Sequence, residues 1–230
     1  MTLYNHHERQ TDSRTLKEVV FGLEDGMVST LGAITGIAIG TQTHSTILLA
    51  GMVIIAVESI SMGIGSYLSS KSSTDADRRL LHEEKHEIRH HPEAERHELH
   101  DMFVRDGWPM DIADQMTDVA AGNRKLMLRE MAFRELAVIP ERPAGDVKNA
   151  VFMFFSYIIG GLVPLAAYFL LSVTRAMPIS IGVTLVGLFA LGAGTTRFTK
   201  TSWLASGFRI LLLGGLALTV GLLVGKFAPA

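Results

Sequence analysis

Apolar runs of the length needed to cross a bilayer flank a single block of concentrated charge in this chain. Of its 23 acidic residues, 17 fall between positions 71 and 149. A membrane-spanning helix needs about 20 mostly apolar residues, whereas a soluble domain mixes charged residues into its apolar stretches. The sequence therefore predicts an integral membrane protein, because runs of this length must be shielded from water.

The apolar runs predict five transmembrane helices in an all-α integral membrane protein. The predicted spans lie at about 19–41, 46–69, 149–171, 178–196 and 203–225. The charged block between the second and third spans predicts a three-helix cytoplasmic insert, with helices near 74–90, 92–106 and 109–136, and a break near Gly122 in the last of these stays open. The chain then divides into an N-terminal segment with two spans (1–70), the insert (71–148) and three further spans (149–230).

Basic residues predict the orientation of the chain, because cytoplasmic loops are enriched in Lys and Arg. Arg9, Arg14 and Lys17 precede the first span, whereas the link GTQTHST after it has neither Lys nor Arg. The charged block is rich in both. Alternation of the spans then places the N-terminus and residues 71–148 in the cytoplasm and the C-terminus outside.

Two acidic residues interrupt the first two apolar runs: Asp25 in FGLEDGMVST and Glu58 in AVESISMG. Acids inside spans mark ion or proton pathways, because a charge in the bilayer is costly. Counted from the predicted cytoplasmic ends, Asp25 and Met62 lie at similar depths, with Glu58 one turn deeper. Carboxylates with a thioether favour transition metals over Ca²⁺ or Mg²⁺. A packing role for Met62 stays open as the alternative.

The charged block contains the segment EEKHEIRHHPEAERHE, in which acids recur at helical spacing. Glu84 and Glu87 are three residues apart, as are Glu95 and Glu98, and eleven residues separate the pairs. This spacing puts all four on one helix face even if Pro92 bends the helix. Like charges on one face repel, and a divalent cation converts that repulsion into coordination. A solvated helix face is the alternative interpretation.

Side chains of the third predicted insert helix are placed to complete such a site. Met127, Met131 and Glu135 form an i, i+4, i+8 stripe, although core packing is the alternative for the methionines. Histidines of the block add nitrogen donors. His91 and Glu130 are further candidate ligands, so the sequence predicts a mixed oxygen, sulfur and nitrogen ligand set.

Several of these segments resemble the vacuolar iron transporter family. They are DGMVST in the first span, SMGIGSYLS at the end of the second, RDGWPMDIADQM and REMAFRELAV in the insert, and GGLVPLAAY in the third span. The resemblance covers the chain from about Val20 to its end. It implies a dimer that carries Fe²⁺, and often Mn²⁺, across a membrane in exchange for protons.

The resemblance also implies roles for individual residues. Its membrane pathway matches Asp25 and Met62. Its cytoplasmic metal site matches six residues: Glu84, Glu87, Glu95, Glu98, Met131 and Glu135. The chain departs from the family at two positions. Many members have a glutamate where this chain has Ile54, and members commonly have a second glutamate where it has Ser66. Glu58 is then a displaced acid, which leaves the choice among Fe²⁺, Mn²⁺, Zn²⁺, Co²⁺ and Ni²⁺ open.

We therefore expect a transporter and not an enzyme, without a prosthetic group. Its expected partners are divalent metal ions, protons, membrane lipid and a second copy of the chain, with no nucleic acid. A cytoplasmic collecting domain favours export from the cytoplasm. The absence of a visible targeting extension favours a prokaryotic inner membrane.

Three alternatives are weighed against iron export. The first is an exporter of zinc or nickel, which the histidines favour. The second is an iron-oxidising enzyme, but a di-iron bundle needs Glu-x-x-His motifs on different helices. Here Glu83/His86 and Glu87/His90 fall on one predicted helix. The third is a membrane-anchored metal sensor, which has no need of acids within its spans.

Overall fold

The computed structural model describes residues 7–138 and 146–227. The regular structure in these ranges is entirely helical, so the all-α prediction is confirmed for them. Eight helices follow one another: α1 (His7–Thr41), α2 (His44–His90), α3 (Pro92–Arg105), α4 (Met110–Ala121), α5 (Arg124–Arg134), α6 (Asp146–Leu170), α7 (Val173–Thr199) and α8 (Trp203–Phe227).

The chain forms two compact units. One comprises residues 1–68 and 145–230 and is called the membrane unit here, and the other, Ser69–Ala144, is called the charged unit. The predicted insert at 71–148 includes residues 139–145, which lie outside the described part of the chain.

Among the described residues, four helices are long and apolar enough to cross a membrane: α2, α6, α7 and α8. The first predicted span corresponds to α1, which is not one of the four, because Glu24 and Asp25 lower its hydropathy. Its side chains Leu31, Ile34 and Ala38 are fully buried, and it packs against α6, α7 and α8. A membrane helix that is enclosed by other helices does not face lipid, so it can carry acidic residues on the faces it turns to its neighbours. Four apolar spans are therefore found, and a fifth formed by α1 stays a prediction.

Glycines allow α1 to approach two neighbours closely. A Cβ atom on Gly160 of α6 would lie 2.4 Å from the carbonyl oxygen of Leu23, and one on Gly225 of α8 would lie 2.3 Å from that of Gly36. Small residues in membrane helices permit such backbone contact. The crossing with α6 places the turn around Asp25 directly against that helix.

Helix α2 runs without interruption from His44 to His90. The expectation of separate helices near 46–69 and 74–90 is therefore wrong at this junction. The intervening SSKSST contains neither Pro nor Gly, the residues that most disfavour a helix interior. Lys71 and Asp75, one turn apart, form an ion pair at 2.8 Å that supports the continuous helix.

The charged unit contains the end of α2 together with α3, α4 and α5, so the expected three-helix insert has four helical stretches. The predicted helix at 109–136, for which the sequence leaves a break near Gly122 open, is divided after Ala121. The side chain of Asn123 accepts hydrogen bonds from the backbone N–H groups of Lys125 and Leu126 and so caps the start of α5. The core of the unit is built from Ile88, Leu99, Met102, Phe103, Ala113, Ala120, Met127 and Met131.

Candidate metal sites

Three carboxylates of the charged unit converge where α2 ends and α3 begins. Glu84 and Glu87 of α2 and Glu95 of α3 each offer an oxygen, and these oxygens lie within 4.8 Å of one another. A divalent cation needs several ligand atoms around one point, and this arrangement provides them. Glu98, the fourth predicted glutamate, is exposed on α3, but its charge acts on Glu95 and Glu135.

A turn at His91 and Pro92 builds the cluster. Proline has no backbone N–H and fits the first turn of a new helix, so α2 ends at His90 and α3 begins at Pro92. The carbonyl of His91 then accepts from the N–H groups of Ala94 and Glu95 at 3.0 and 3.1 Å. The two glutamate pairs therefore meet across a turn and do not share the face of one bent helix.

Burial makes these carboxylates costly as bare charges. Glu84 is 2% exposed and Glu95 is 6% exposed. Glu84 Oε1 and Glu95 Oε2 have no hydrogen-bond partner among the described residues. Burial, followed by the charges of Glu135, Glu95 and Glu87, raises the pKa of Glu84 to about 8. Burial also raises the pKa of Glu95 and of Glu135. A bound cation would favour the ionised carboxylates that burial disfavours.

In the stripe formed by Met127, Met131 and Glu135, the two methionines and the glutamate have different surroundings. Met127 and Met131 are 3% and 0% exposed, and both belong to the core of the charged unit. Glu135 follows Met131 by one turn, at the end of α5, and its charge acts on Glu84. The methionines thus have the contacts of core residues, and Glu135 is the member of the stripe that reaches the carboxylates.

Two further predicted ligands stand apart from the converging oxygens. Glu130 lies 3.4 Å from Arg129 and 3.5 Å from Arg134, so guanidinium groups balance its charge. His91 is exposed and precedes the first residue of α3. In the part of the chain that the structure describes, neither belongs to the group whose ligand atoms converge.

A second acidic site lies in the membrane unit. Asp25 of α1 and Glu58 of α2 are close enough for their charges to interact. Asp25 is half-buried, whereas Glu58 lies on an exposed face of α2, and Met62 follows it by one turn and is half-buried. Two carboxylates on neighbouring helices attract a cation, because an isolated charge at this depth requires a partner.

Contacts on either side of the Asp25–Glu58 pair fix an antiparallel register between α1 and α2. Toward the start of α1, Ser66 Oγ donates to Glu18 Oε2 at 3.0 Å. Toward its end, a Cβ atom on Gly51 would lie 3.2 Å from a methyl carbon of Ile34. Residue numbers rise along α1 as they fall along α2, so the two helices run in opposite directions.

This register refines the predicted depths. It places about residues 59–60 of α2 opposite Asp25, between Glu58 and Met62 and nearer to Glu58, whose charge acts on Asp25. The expectation of equal depth for Asp25 and Met62 was counted from a helix end near Ser69, where α2 continues. Glu58, the acid that the sequence marks as displaced, is therefore close to the level of Asp25.

A buried tyrosine of α6 joins this pair. Tyr157 is 0% exposed, and its Oη lies 2.6 Å from Ser29 Oγ. The charges of Asp25 and Glu58 both act on its hydroxyl. Sequence patterns did not reveal Tyr157, which follows Ser29 by 128 residues. A polar hydroxyl in an otherwise apolar span was the one signal available, since a buried tyrosine hydroxyl usually has a partner.

The chain is similar to known proteins over most of its length. The profile of the VIT family matches residues 16–226, a range that contains both acidic sites. Vacuolar iron transporter 1 of Oryza sativa subsp. japonica is 32% identical over 93% of this chain and 86% of its own length. The protein of that name from Tulipa gesneriana is 30% identical over 94% and 88%. Vacuolar iron transporter of Plasmodium falciparum (isolate 3D7) is 25% identical over 93% and 82%. The resemblance in the motifs is confirmed, and the chain belongs to the VIT family.

Proposed function

We propose that this protein transports Fe²⁺ across a membrane and that its charged unit collects the metal. The observation that carries the proposal is the convergence of oxygens from Glu84, Glu87 and Glu95 within 4.8 Å. The relatives named as iron transporters support the identity of the metal. Membership in a family of membrane transporters also confirms the prediction that the chain is not an enzyme.

In the charged unit, the carboxylates act as the primary ligands. Glu84, Glu87 and Glu95 supply the converging oxygens, and Glu98 and Glu135 add negative charge around them. Carboxylate oxygens suit divalent metals such as Mn²⁺, and the relatives named as iron transporters favour Fe²⁺. Together they support Fe²⁺ as the cargo, with Mn²⁺ as a second one.

In the membrane unit, the cation passes between Asp25 and Glu58, with Met62 one turn along. Two carboxylates that face each other repel when both are ionised. A divalent cation removes that repulsion when it binds, and protons remove it after the cation leaves. This alternation supports exchange of Fe²⁺ for protons.

The direction of transport is out of the cytoplasm. Lys and Arg are concentrated in the charged block and before the first span, which supports a cytoplasmic position for both and an external C-terminus. A metal-collecting unit on the cytoplasmic side loads the transporter from that compartment. A prokaryotic inner membrane is the location we propose.

A second copy of the chain covers the exposed flank of α2. Val57 is 60% exposed and Ile60 is 53% exposed, and Glu58 between them is exposed as well. Apolar side chains are stable against lipid, whereas a carboxylate facing lipid is costly. A homodimer that places Glu58 against protein removes this cost and keeps the acid available to the cation.

An exporter of zinc or nickel is the second candidate, and one observation favours it. The rings of His86 and His90 stack with their centroids 3.9 Å apart on the helix that carries Glu84 and Glu87. Imidazole nitrogen suits Zn²⁺ and Ni²⁺. An iron oxidase is less well supported, because both Glu-x-x-His motifs lie on α2 and a di-iron bundle needs them on separate helices.

Metal uptake by proteoliposomes tests the proposal. The purified protein is reconstituted with a metal-sensitive dye and a pH probe in the lumen, and Fe²⁺, Mn²⁺, Zn²⁺, Co²⁺ and Ni²⁺ are supplied separately. We expect Fe²⁺ and Mn²⁺ uptake with protons moving in the opposite direction. Uptake of Zn²⁺ or Ni²⁺ in preference to Fe²⁺ would support the second candidate. No uptake of any of the five metals would contradict a transporter.

A further inference from the structure

We infer that Tyr157 is a positioning residue of the membrane pathway, whose hydroxyl holds the Asp25 turn of α1 in place through Ser29. The inference rests on the proposed function, since it assigns Tyr157 to the pathway that contains Asp25 and Glu58. It adds a third helix, α6, to the two that carry the acids.

The hydrogen bonds have a definite direction. Ser29 Oγ has a single hydrogen, which it donates to the carbonyl oxygen of Asp25 at 2.7 Å. Tyr157 therefore donates its own hydrogen to Ser29 Oγ, at 2.6 Å. The chain of two bonds begins on α6 and ends on the residue whose carboxylate faces Glu58.

A backbone contact between α1 and α6 holds the main chain of Tyr157, in addition to the hydrogen bond at its hydroxyl. A Cβ atom on Gly26, the residue after Asp25, would lie 2.4 Å from the carbonyl oxygen of Tyr157. The main chains of α1 and α6 therefore touch at this point. With Tyr157 0% exposed, its ring has little freedom, and loss of the hydroxyl would release the Asp25 turn without changing the packing of the ring.

Tyr168 provides a matched control on the same helix, three turns further along. It is also 0% exposed. Its Oη has no hydrogen-bond partner in the ranges that the structure describes. Replacing Tyr168 by phenylalanine therefore removes a buried hydroxyl of the same kind without breaking a bond to α1.

The test is the Fe²⁺ concentration dependence of uptake by proteoliposomes. It compares the wild type with Tyr157→Phe, Tyr168→Phe, Ser29→Ala and the double variant Tyr157→Phe/Ser29→Ala. Loss of one hydrogen bond predicts a rise in KM of roughly fivefold for Tyr157→Phe. Because Tyr157 acts through Ser29, we expect a similar rise for Ser29→Ala and little further change in the double variant. Tyr168→Phe should keep the wild-type KM and maximal rate.

Several outcomes would overturn the inference. They are a wild-type KM in Tyr157→Phe, an equal effect in Tyr168→Phe, or fully additive effects in the double variant. A fall in maximal rate alone, accompanied by a lower melting temperature, would assign Tyr157 to folding and overturn it too. Uptake that is lost in Asp25→Asn but unchanged in Tyr157→Phe refutes the inference alone. Uptake that is absent in the wild type, or that survives Asp25→Asn, refutes the proposed pathway and the inference with it.

Discussion

Replacing Glu84 by glutamine separates the stability of the charged unit from its ability to bind metal. Glu84 is 2% exposed and is surrounded by acids, and its pKa is raised from an ordinary 4.5 to about 8. At pH 7 it therefore holds a proton, at a cost of roughly 3 kcal/mol given about 1.36 kcal/mol for each pKa unit. Glutamine has nearly the same shape and no such cost. We expect the metal-free charged unit to gain on the order of 1–3 kcal/mol.

The gain in stability from Glu84→Gln should increase as the pH rises. Because the folded-state pKa of Glu84 lies above its unfolded value, the stability linked to its protonation is fully present below about 4.5 and is lost as pH rises through about 8. Glutamine does not titrate. The difference between Glu84→Gln and the wild type should therefore be small at pH 5 and large at pH 8.

Tryptophan fluorescence can report the charged unit selectively. The chain has two tryptophans, Trp108 in the charged unit and Trp203 in the membrane unit. In a Trp203→Phe background, thermal unfolding of the full-length protein in detergent with a chelator gives the Tm around Trp108. A gain of 1 kcal/mol corresponds to about 4–8 °C for a domain of 60–100 residues. Glu83→Gln is the matched control, because the Glu83 side chain is 54% exposed, and its Tm should stay near that of the wild type.

Added Mn²⁺ should favour the wild type. A ligand at 100 times its Kd stabilises a protein by about 2.7 kcal/mol, and the wild type has the complete set of carboxylates to bind it. The Glu84→Gln variant lacks one charged ligand, so its Tm should rise much less. A lower Tm for Glu84→Gln in chelator, or an equal Mn²⁺-induced rise in both proteins, would refute the interpretation of the cluster as a metal site.

Three other substitutions test the carboxylate cluster, the crossing of α1 with α6 and the cap of α5. Glu95→Gln should weaken Mn²⁺ binding by roughly tenfold or more in calorimetric titration. Glu93→Gln, which changes an 88% exposed side chain of the same helix, should keep the wild-type affinity. Equal affinities for the two variants would show that Glu95 is not a ligand. Gly160→Ala should destabilise the membrane unit by about 1–3 kcal/mol through overpacking and so lower its Tm. Gly182→Ala, with open space around its Cβ position, should leave the Tm unchanged. Equal Tm values for the two variants would contradict the close crossing. Asn123→Ala should cost the charged unit about 1 kcal/mol by removing the cap of α5, and an unchanged Tm would argue against that cap.

The apolar runs predicted α6, α7 and α8 well, because a bilayer-spanning helix must be both long and apolar. Boundaries were less predictable. Helix α7 begins at Val173, five residues before the predicted start at Pro178, because proline removes one hydrogen bond near a helix start without ending the helix. At the junction after Leu68 the sequence changes from apolar to charged, but it contains nothing that stops a helix, so the change in composition did not mark an end of α2.

The candidate sites show the same limit. The spacing of Glu84, Glu87 and Glu95 identified the acids, but their convergence depends on a turn at His91 that brings two helices together. In the membrane unit, Asp25 and Glu58 stood out as charges in apolar runs. Tyr157 did not, because its relation to Ser29 exists only in the packed structure. Local sequence patterns therefore identified the candidate acidic residues. Which of them lie close together depends on how the helices pack, and that is visible only in the folded structure.

Fe²⁺ uptake by proteoliposomes carrying Asp25→Asn is the most direct test of the account. Glu24→Gln is the matched control, because Glu24 is the adjacent acid and points from a different face of α1. Both variants remove one negative charge. We expect Asp25→Asn to abolish Fe²⁺ uptake and the accompanying proton movement, and Glu24→Gln to retain most of both. Wild-type uptake by Asp25→Asn would contradict a pathway between Asp25 and Glu58.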